Sequence, residues 1–281
     1  MADTKTSNQK KDVLIQLRVE KSFADQLNSL AERRQLPLSV LLRTWISEKL
    51  RDESKAELKD RAVWIEQSFA KMSLESFDSG PLLLLYAFPV SGKAKLSVDT
   101  LKQYAYALVP GYGHRRYVQS QIVQNGLEVT VRGGDGDSLL ARGEGHKSGE
   151  IEAVLTVPST ESKQIFAQQL DYLIVTAVQS LCSIYRAHGI ELAYVIHISL
   201  LNAKGFAPVQ HEILASSEPL PKFSSDRIDL PEITITSFEQ LASMAATGEY
   251  LIDSLDEIAH AASTPGSMSF DRQNKWINPV H

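Results

Sequence analysis

Between residues 12 and 52 the hydrophobic pattern changes period twice. In DVLIQLRV, Val13, Ile15, Leu17 and Val19 share one parity while Leu14, Gln16 and Arg18 share the other, the alternation of a strand whose side chains point to opposite faces. Phe23, Leu27, Leu30 and Ala31 then recur at helical spacing, and Leu41, Leu42, Trp45, Ile46 and Leu50 do so again, with Pro37 breaking the chain between them. The pattern predicts one strand followed by two short amphipathic helices. A lone strand leaves its backbone groups unpaired, and nothing nearby in sequence offers a second one. The expected partner is therefore the same strand of another copy, which makes the protein a homodimer or a higher even oligomer.

Further along, DESKAELKD is charged and free of Gly and Pro, and Leu58, Ala62, Ile65, Phe69 and Met72 fall at helical spacing, so a helical connector is expected over about 56–73. SLESFDSG closes it with turn residues. The apolar run PLLLLYAFPV, Pro81 to Val90, reads as a strand buried on both faces. Tyr117 to Val123 and Leu127 to Arg132, separated by Gln-Asn-Gly, read as a hairpin. More strands are expected at 139–142, 150–157, 194–201 and 233–235. A long helix is expected over 162–187, and shorter ones at 237–246 and 249–262. The order of elements predicts an α+β domain with a mostly antiparallel sheet. The resulting organisation is a flexible arm at 1–11, a strand-helix-helix head at 12–52, a connector at 53–79 and an α+β body at 80–281.

Charge divides along the same line. The chain of 281 residues carries −5 overall, yet residues 1–51 hold ten Lys and Arg against six Asp and Glu, leaving −9 on the rest. A basic head favours phosphate and an acidic body avoids it. Cys182 is the single cysteine, so an internal disulfide framework and a cysteine-based zinc site are both excluded. The longest apolar run is too short to span a bilayer and the polar start MADTKTSNQKK has no apolar core, so a cytoplasmic protein without membrane contact is expected.

The segment 12–52 resembles the ribbon-helix-helix (Arc/MetJ-like) family of bacterial and phage repressors and antitoxins. That resemblance implies double-stranded DNA as partner, read by three alternate strand residues from each chain in the major groove. Carried over by position, the base-contacting residues are Leu14, Gln16 and Arg18. Gln suits adenine N6/N7, Arg suits guanine O6/N7, and Leu14 departs from the polar residue often found there. Phosphate contacts fall to Lys11, Lys21, Leu38 and Ser39, the last two at the start of the second helix where free N–H groups suit an oxyanion. Where the family usually carries Gly-x-Ser between its helices, this chain has Gln35, Leu36 and Pro37. A plain dimerisation arm would leave unexplained why Gln and Arg occupy the solvent-facing strand positions of a basic segment.

A second resemblance covers residues 80–276. GPLLLLYAFPV, YVQSQIVQNGLEV, YVIHISLLNAKGF, LPEITITSFE and SFDRQNKW resemble the domain that follows the AlbA-like (Schlafen-type) DNA-binding domain in bacterial DNA-binding proteins. In place of the AlbA-like head this chain has the segment that resembles a ribbon-helix-helix unit, which looks like a swap of one DNA-binding head for another. A sensing or oligomerising role for the body is our inference.

Catalytic and metal motifs are not visible. The histidines at 114, 146, 188, 197, 211, 260 and 281 form no HExxH or HxH pattern, so no enzyme activity, cofactor or metal is expected. His197 falls in an apolar strand and reads as a core histidine. Gly133 to Asp137 has the glycines of a phosphate loop without its lysine, and reads as a hairpin loop. Tyr112, His114, Arg115 and Arg116, beside Gly111 and Gly113, form a candidate site for an anionic ligand. Two functions follow: a DNA-binding transcriptional regulator, most simply a repressor, whose body binds a small-molecule or protein effector; or an antitoxin-like or phage-defence component whose body holds a partner protein.

Overall fold

The computed structural model describes residues 21–34, 37–39, 41–42, 45–46, 61–67, 74–77, 80–90, 95–113, 117–134, 136, 138–210, 220–271, 273 and 275–277. It divides the chain into two compact units, Met1–Met72 and Ser73–His281.

In the first unit, helix α1 spans Lys21–Arg34. Leu27 and Ala31, four residues apart and so on one face, are buried, and Leu30 beside them is half-buried. Residues 38, 39, 41, 42, 45 and 46 are helical, and the Leu41 N–H donates to the Pro37 carbonyl at 3.1 Å, so this helix begins directly after the proline. Residues 61–67 are helical as well, with Ile65 buried.

The second unit is α+β. Its strands are β1 (Leu82–Pro89), β2 (Val118–Val123), β3 (Gly126–Arg132), β4 (Leu139–His146), β5 (Ile151–Thr156), β6 (Gln164–Phe166), β7 (Tyr194–Leu201), β8 (Ala207–Val209), β9 (Arg227–Asp229) and β10 (Ile233–Ile235). Eight of them form one antiparallel sheet in the order β10-β7-β1-β5-β4-β3-β2, with β9 also on β7, while β6 and β8 pair in parallel. Strands β2 to β5 form a simple meander. The chain then leaves β5, crosses over β1 and returns as β7, so the first strand of the unit ends up at the centre. Leu82 to Ala87 are at most 1% exposed, which is the buried-on-both-faces strand that the run PLLLLYAFPV predicts.

The crossover carries helix α3 (Ala167–Ala187), which covers one face of the sheet; α2 (Val98–Gln103) and the 3₁₀ turn Ala105–Leu108 lie against the same face. Helices α4 (Met244–Tyr250) and α5 (Ile252–Ala261) close the C-terminal side. The sheet contributes Leu83, Leu85, Leu127, Val129, Ala153 and Ile198 to this core, and α3 contributes Leu170, Ile174, Ala177, Val178 and Leu181.

The helix expected over 162–187 starts at Ala167, because Gln164–Phe166 pair with β8 instead. The C-terminal helices are broken into the 3₁₀ turn Phe238–Leu241, α4 and α5, the first two capped by Ser237 and Ser243, whose hydroxyls accept from the N–H groups of Glu239 and Ala246. Elements α2, β8 and β9, each six residues or shorter, carry too little periodicity to be visible in the sequence.

Candidate functional site

Strand β4 reads Leu139-Leu-Ala-Arg-Gly-Glu-Gly-His146, and its alternation sorts large charged side chains from very small ones. Arg142, Glu144 and His146 face one side. Ala141, Gly143 and Gly145 face the core, where the 98–108 segment lies so close that a Cβ on Gly143 would stand 1.9 Å from the Leu108 carbonyl oxygen. Glycine is thus required at 143 by the close approach of the Leu108 backbone, while the alternate positions of the strand carry charge.

That register builds a polar row across the sheet. Gln121 opposes Glu128, Glu128 opposes Glu144, Glu144 opposes Glu152, Glu152 opposes Tyr86, and Tyr86 opposes His197. Glu232 ends the row, 3.2 Å from His197 Nε2. Arg142 sits among the three glutamates. Its Nε donates to Glu128 at 2.7 Å, its Nη2 donates to Glu144 at 3.0 Å, and its Nη1 stands 3.6 Å from Glu152. Gln121 Nε2 donates to the second Glu128 oxygen at 2.5 Å.

Three carboxylates around one guanidinium leave excess negative charge in a half-buried place, and the titration of the groups follows from that. Burial, with Glu144 and Glu128 adding to it against the pull of Arg142, pushes Glu152 up to about 7. Burial lowers His146, outweighing the nearby Glu144 and Glu150, and Arg142 works in the same direction as burial. Burial opposes the charge on Arg142, but its hydrogen bond to Glu128 and the charges of Glu128, Glu152 and Glu144 outweigh it and raise its pKa. Glu144, His146 and Glu152 each bring one ligand atom within 4.8 Å of the others, a spread that suits a divalent cation. Arg142 already supplies a positive charge at that place, so the geometry describes a self-contained ion network first.

The anionic-ligand site expected at Tyr112, His114, Arg115 and Arg116 is described only at Tyr112, since 114–116 lie outside the described residues. Tyr112 is buried, and its hydroxyl donates to the Thr156 carbonyl and lies 3.0 Å from the Thr156 hydroxyl. It lines a cleft of about 670 Å³ together with Thr156, Ser159, Thr160, Lys163 and Phe206. Lys163, in the left-handed region at φ 59°, holds its ammonium 5.9 Å from the centre of the Phe206 ring. The cleft has the size of a small-molecule site and offers hydroxyls, the Lys163 ammonium, the Glu161 carboxylate and an aromatic wall. The spacing of Thr156, Ser159, Thr160 and Lys163 around the end of β5 gave no motif by which to find it.

In the first unit, Lys21 is the first residue of α1 and is exposed; Leu38 and Ser39 are the first two residues of the second helix, Leu38 half-buried and Ser39 exposed. Lys11, Leu14, Gln16 and Arg18 lie outside the described residues. A groove of about 590 Å³ runs along α1, lined by Leu27, Leu30 and Arg33 and by Trp45.

His197, expected as a core histidine, lies on the polar row and is about a quarter exposed. Cys182 is buried, and burial pushes its thiol up to about 12. Among the described residues no helix is long and apolar enough to cross a membrane. Compared with models of known protein families, with curated proteins and with solved structures, the chain matches none.

Proposed function

We propose that the protein is a DNA-binding transcriptional regulator of ribbon-helix-helix type, dimeric through its N-terminal segment, with the α+β body acting as the sensing part. The observation that carries the reading is the two-helix arrangement of residues 21–46. Helix α1 ends at Arg34, and a second helix starts directly after Pro37 with Ser39 exposed in its first turn, the position that the family resemblance assigns to a phosphate contact. The groove along α1, with Leu30 and Trp45 half-buried, offers an apolar face that a second copy would cover. The charge of +4 on residues 1–51 supports the same reading. In the body, the cleft beside Tyr112, Glu161 and Lys163 is where a small polar effector fits.

Fluorescence anisotropy of the full chain on its own upstream DNA, at two salt concentrations, tests this. Gln16→Ala and Arg18→Ala should each cost about 1–3 kcal/mol and relax base preference, whereas changing Lys11 or Lys21 should weaken all sequences about equally. Base preference left intact by Arg18→Ala would remove the strand from the reading role. Binding with no preference over random DNA would make the head a dimerisation device, and the partner-holding, antitoxin-like function would then lead.

A further inference from the structure

Strand β2 ends the sheet. Among the described residues no strand pairs with its outer side, and it is a regular strand of six residues, mostly exposed. Exposed edges in natural proteins are usually blunted by a charge, a proline or a bulge, because a bare row of N–H and C=O groups recruits another strand. The segment Tyr117-Val-Gln-Ser-Gln-Ile-Val123 holds no charged residue and no proline, although the body around it carries −9 over residues 52–281. It also exposes Tyr117 at 53% and Ile122 at 60%.

The order of these residues is nearly the same in both directions about Ser120. Val118-Gln119-Ser120-Gln121-Ile122 reversed gives Ile-Gln-Ser-Gln-Val, so an antiparallel pairing with an identical strand about Ser120 sets apolar opposite apolar and amide opposite amide. The backbone parity agrees. The Tyr117 carbonyl accepts from the Arg132 N–H at 3.2 Å, so Tyr117 faces β3, and by alternation Val118, Ser120 and Ile122 present their N–H and C=O groups outward. Side chains agree as well. Ser120 opposes the buried Val129, which puts Val118, Ser120 and Ile122 on the α3 side of the sheet, while Gln119 and Gln121 share the Glu128 side.

From these observations we propose that β2 is a self-complementary interface that joins two copies of this chain into one continuous antiparallel sheet, with Ser120 on the two-fold axis. Val118 then lies opposite Ile122 of the partner subunit, covering apolar surface that is now exposed. Gln119 lies opposite Gln121 of the partner subunit, an amide pair with no like charges to repel. The interface belongs to the body and does not depend on whether the head binds DNA.

A register-specific cross-link tests it in the full chain. Cys182 is only 1% exposed, so an introduced surface thiol is the one that reacts. Residues opposed in a hydrogen-bonded antiparallel pair have Cα atoms about 5.5 Å apart, within disulfide reach. Under mild oxidation Ser120→Cys should form a covalent dimer, whereas Gln119→Cys alone should not, its mate being Gln121 of the partner subunit. Adding Ile122→Lys to Ser120→Cys should lower the rate of cross-linking by about tenfold. Equal cross-linking of Ser120→Cys and Gln119→Cys, or a rate indifferent to Ile122→Lys, would overturn the pairing. So would the absence of any covalent dimer.

Discussion

The two faces of the eight-stranded sheet are built by different rules. The face under α3 is apolar, and its residues, Leu83, Leu85, Val129, Ala153 and Ile198 among them, exclude water without needing any one partner. The opposite face carries the row Gln121, Glu128, Glu144, Glu152, Tyr86 and His197, in which each group depends on which residue the neighbouring strand sets beside it. The first face holds the sheet together and tolerates substitutions that keep volume. The second fixes register, because a slip of one residue would turn its carboxylates into the core.

The polar face depends most on Arg142. Arg142→Ala leaves Glu128, Glu144 and Glu152 without their shared cation and should cost about 3–5 kcal/mol above pH 7, and less once Glu152, raised to about 7, takes up its proton; denaturant midpoints at two pH values measure this. On the other face, Leu85→Ala should cost about 2–5 kcal/mol with no such pH dependence. A loss from Leu85→Ala that tracked pH as Arg142→Ala does would erase the distinction.

Glu152→Gln sharpens it with a smaller effect. Because the folded chain raises Glu152 from 4.5 to about 7, the folded state binds this proton more tightly than the unfolded one. The contribution of Glu152 to stability is therefore greatest below about 4.5 and declines as pH rises to about 7, by about 3 kcal/mol. Glu152→Gln should remove that part of the slope and be at least as stable as the natural chain above pH 7. A steeper loss of stability with rising pH in the variant would contradict it.

The sequence shows the apolar face more readily than the polar one. The run from Pro81 to Val90, the hairpin around Gln124 and Asn125, and the spacing of Leu170, Ile174, Ala177 and Leu181 are local signals, and β1, β2, β3 and α3 follow from them. Glu128, Glu144 and Glu152 are scattered singly along the chain and become neighbours only through pairings that no local period encodes. The alternation Arg142, Glu144, His146 with glycines between was the one available hint. Asp171 gives the same lesson within α3. It is buried, pushed up to about 6 by burial despite accepting hydrogen bonds from Ser267 and Ser269, and those partners lie nearly a hundred residues away in sequence. In the sequence Tyr112 draws notice only through the arginines that follow it, yet its described partners are Thr156 and the cleft beside it.

The central place of β1 has a consequence for synthesis. Its neighbours in the sheet are β5, at Ile151–Thr156, and β7, at Tyr194–Leu201. A ribosome delivers Leu82–Pro89 first and must add more than a hundred residues before both flanks of that strand exist. During that interval the newborn chain carries a bare, uncharged, sticky segment, and it is the stage at which a holding chaperone is most needed and slow translation most hazardous.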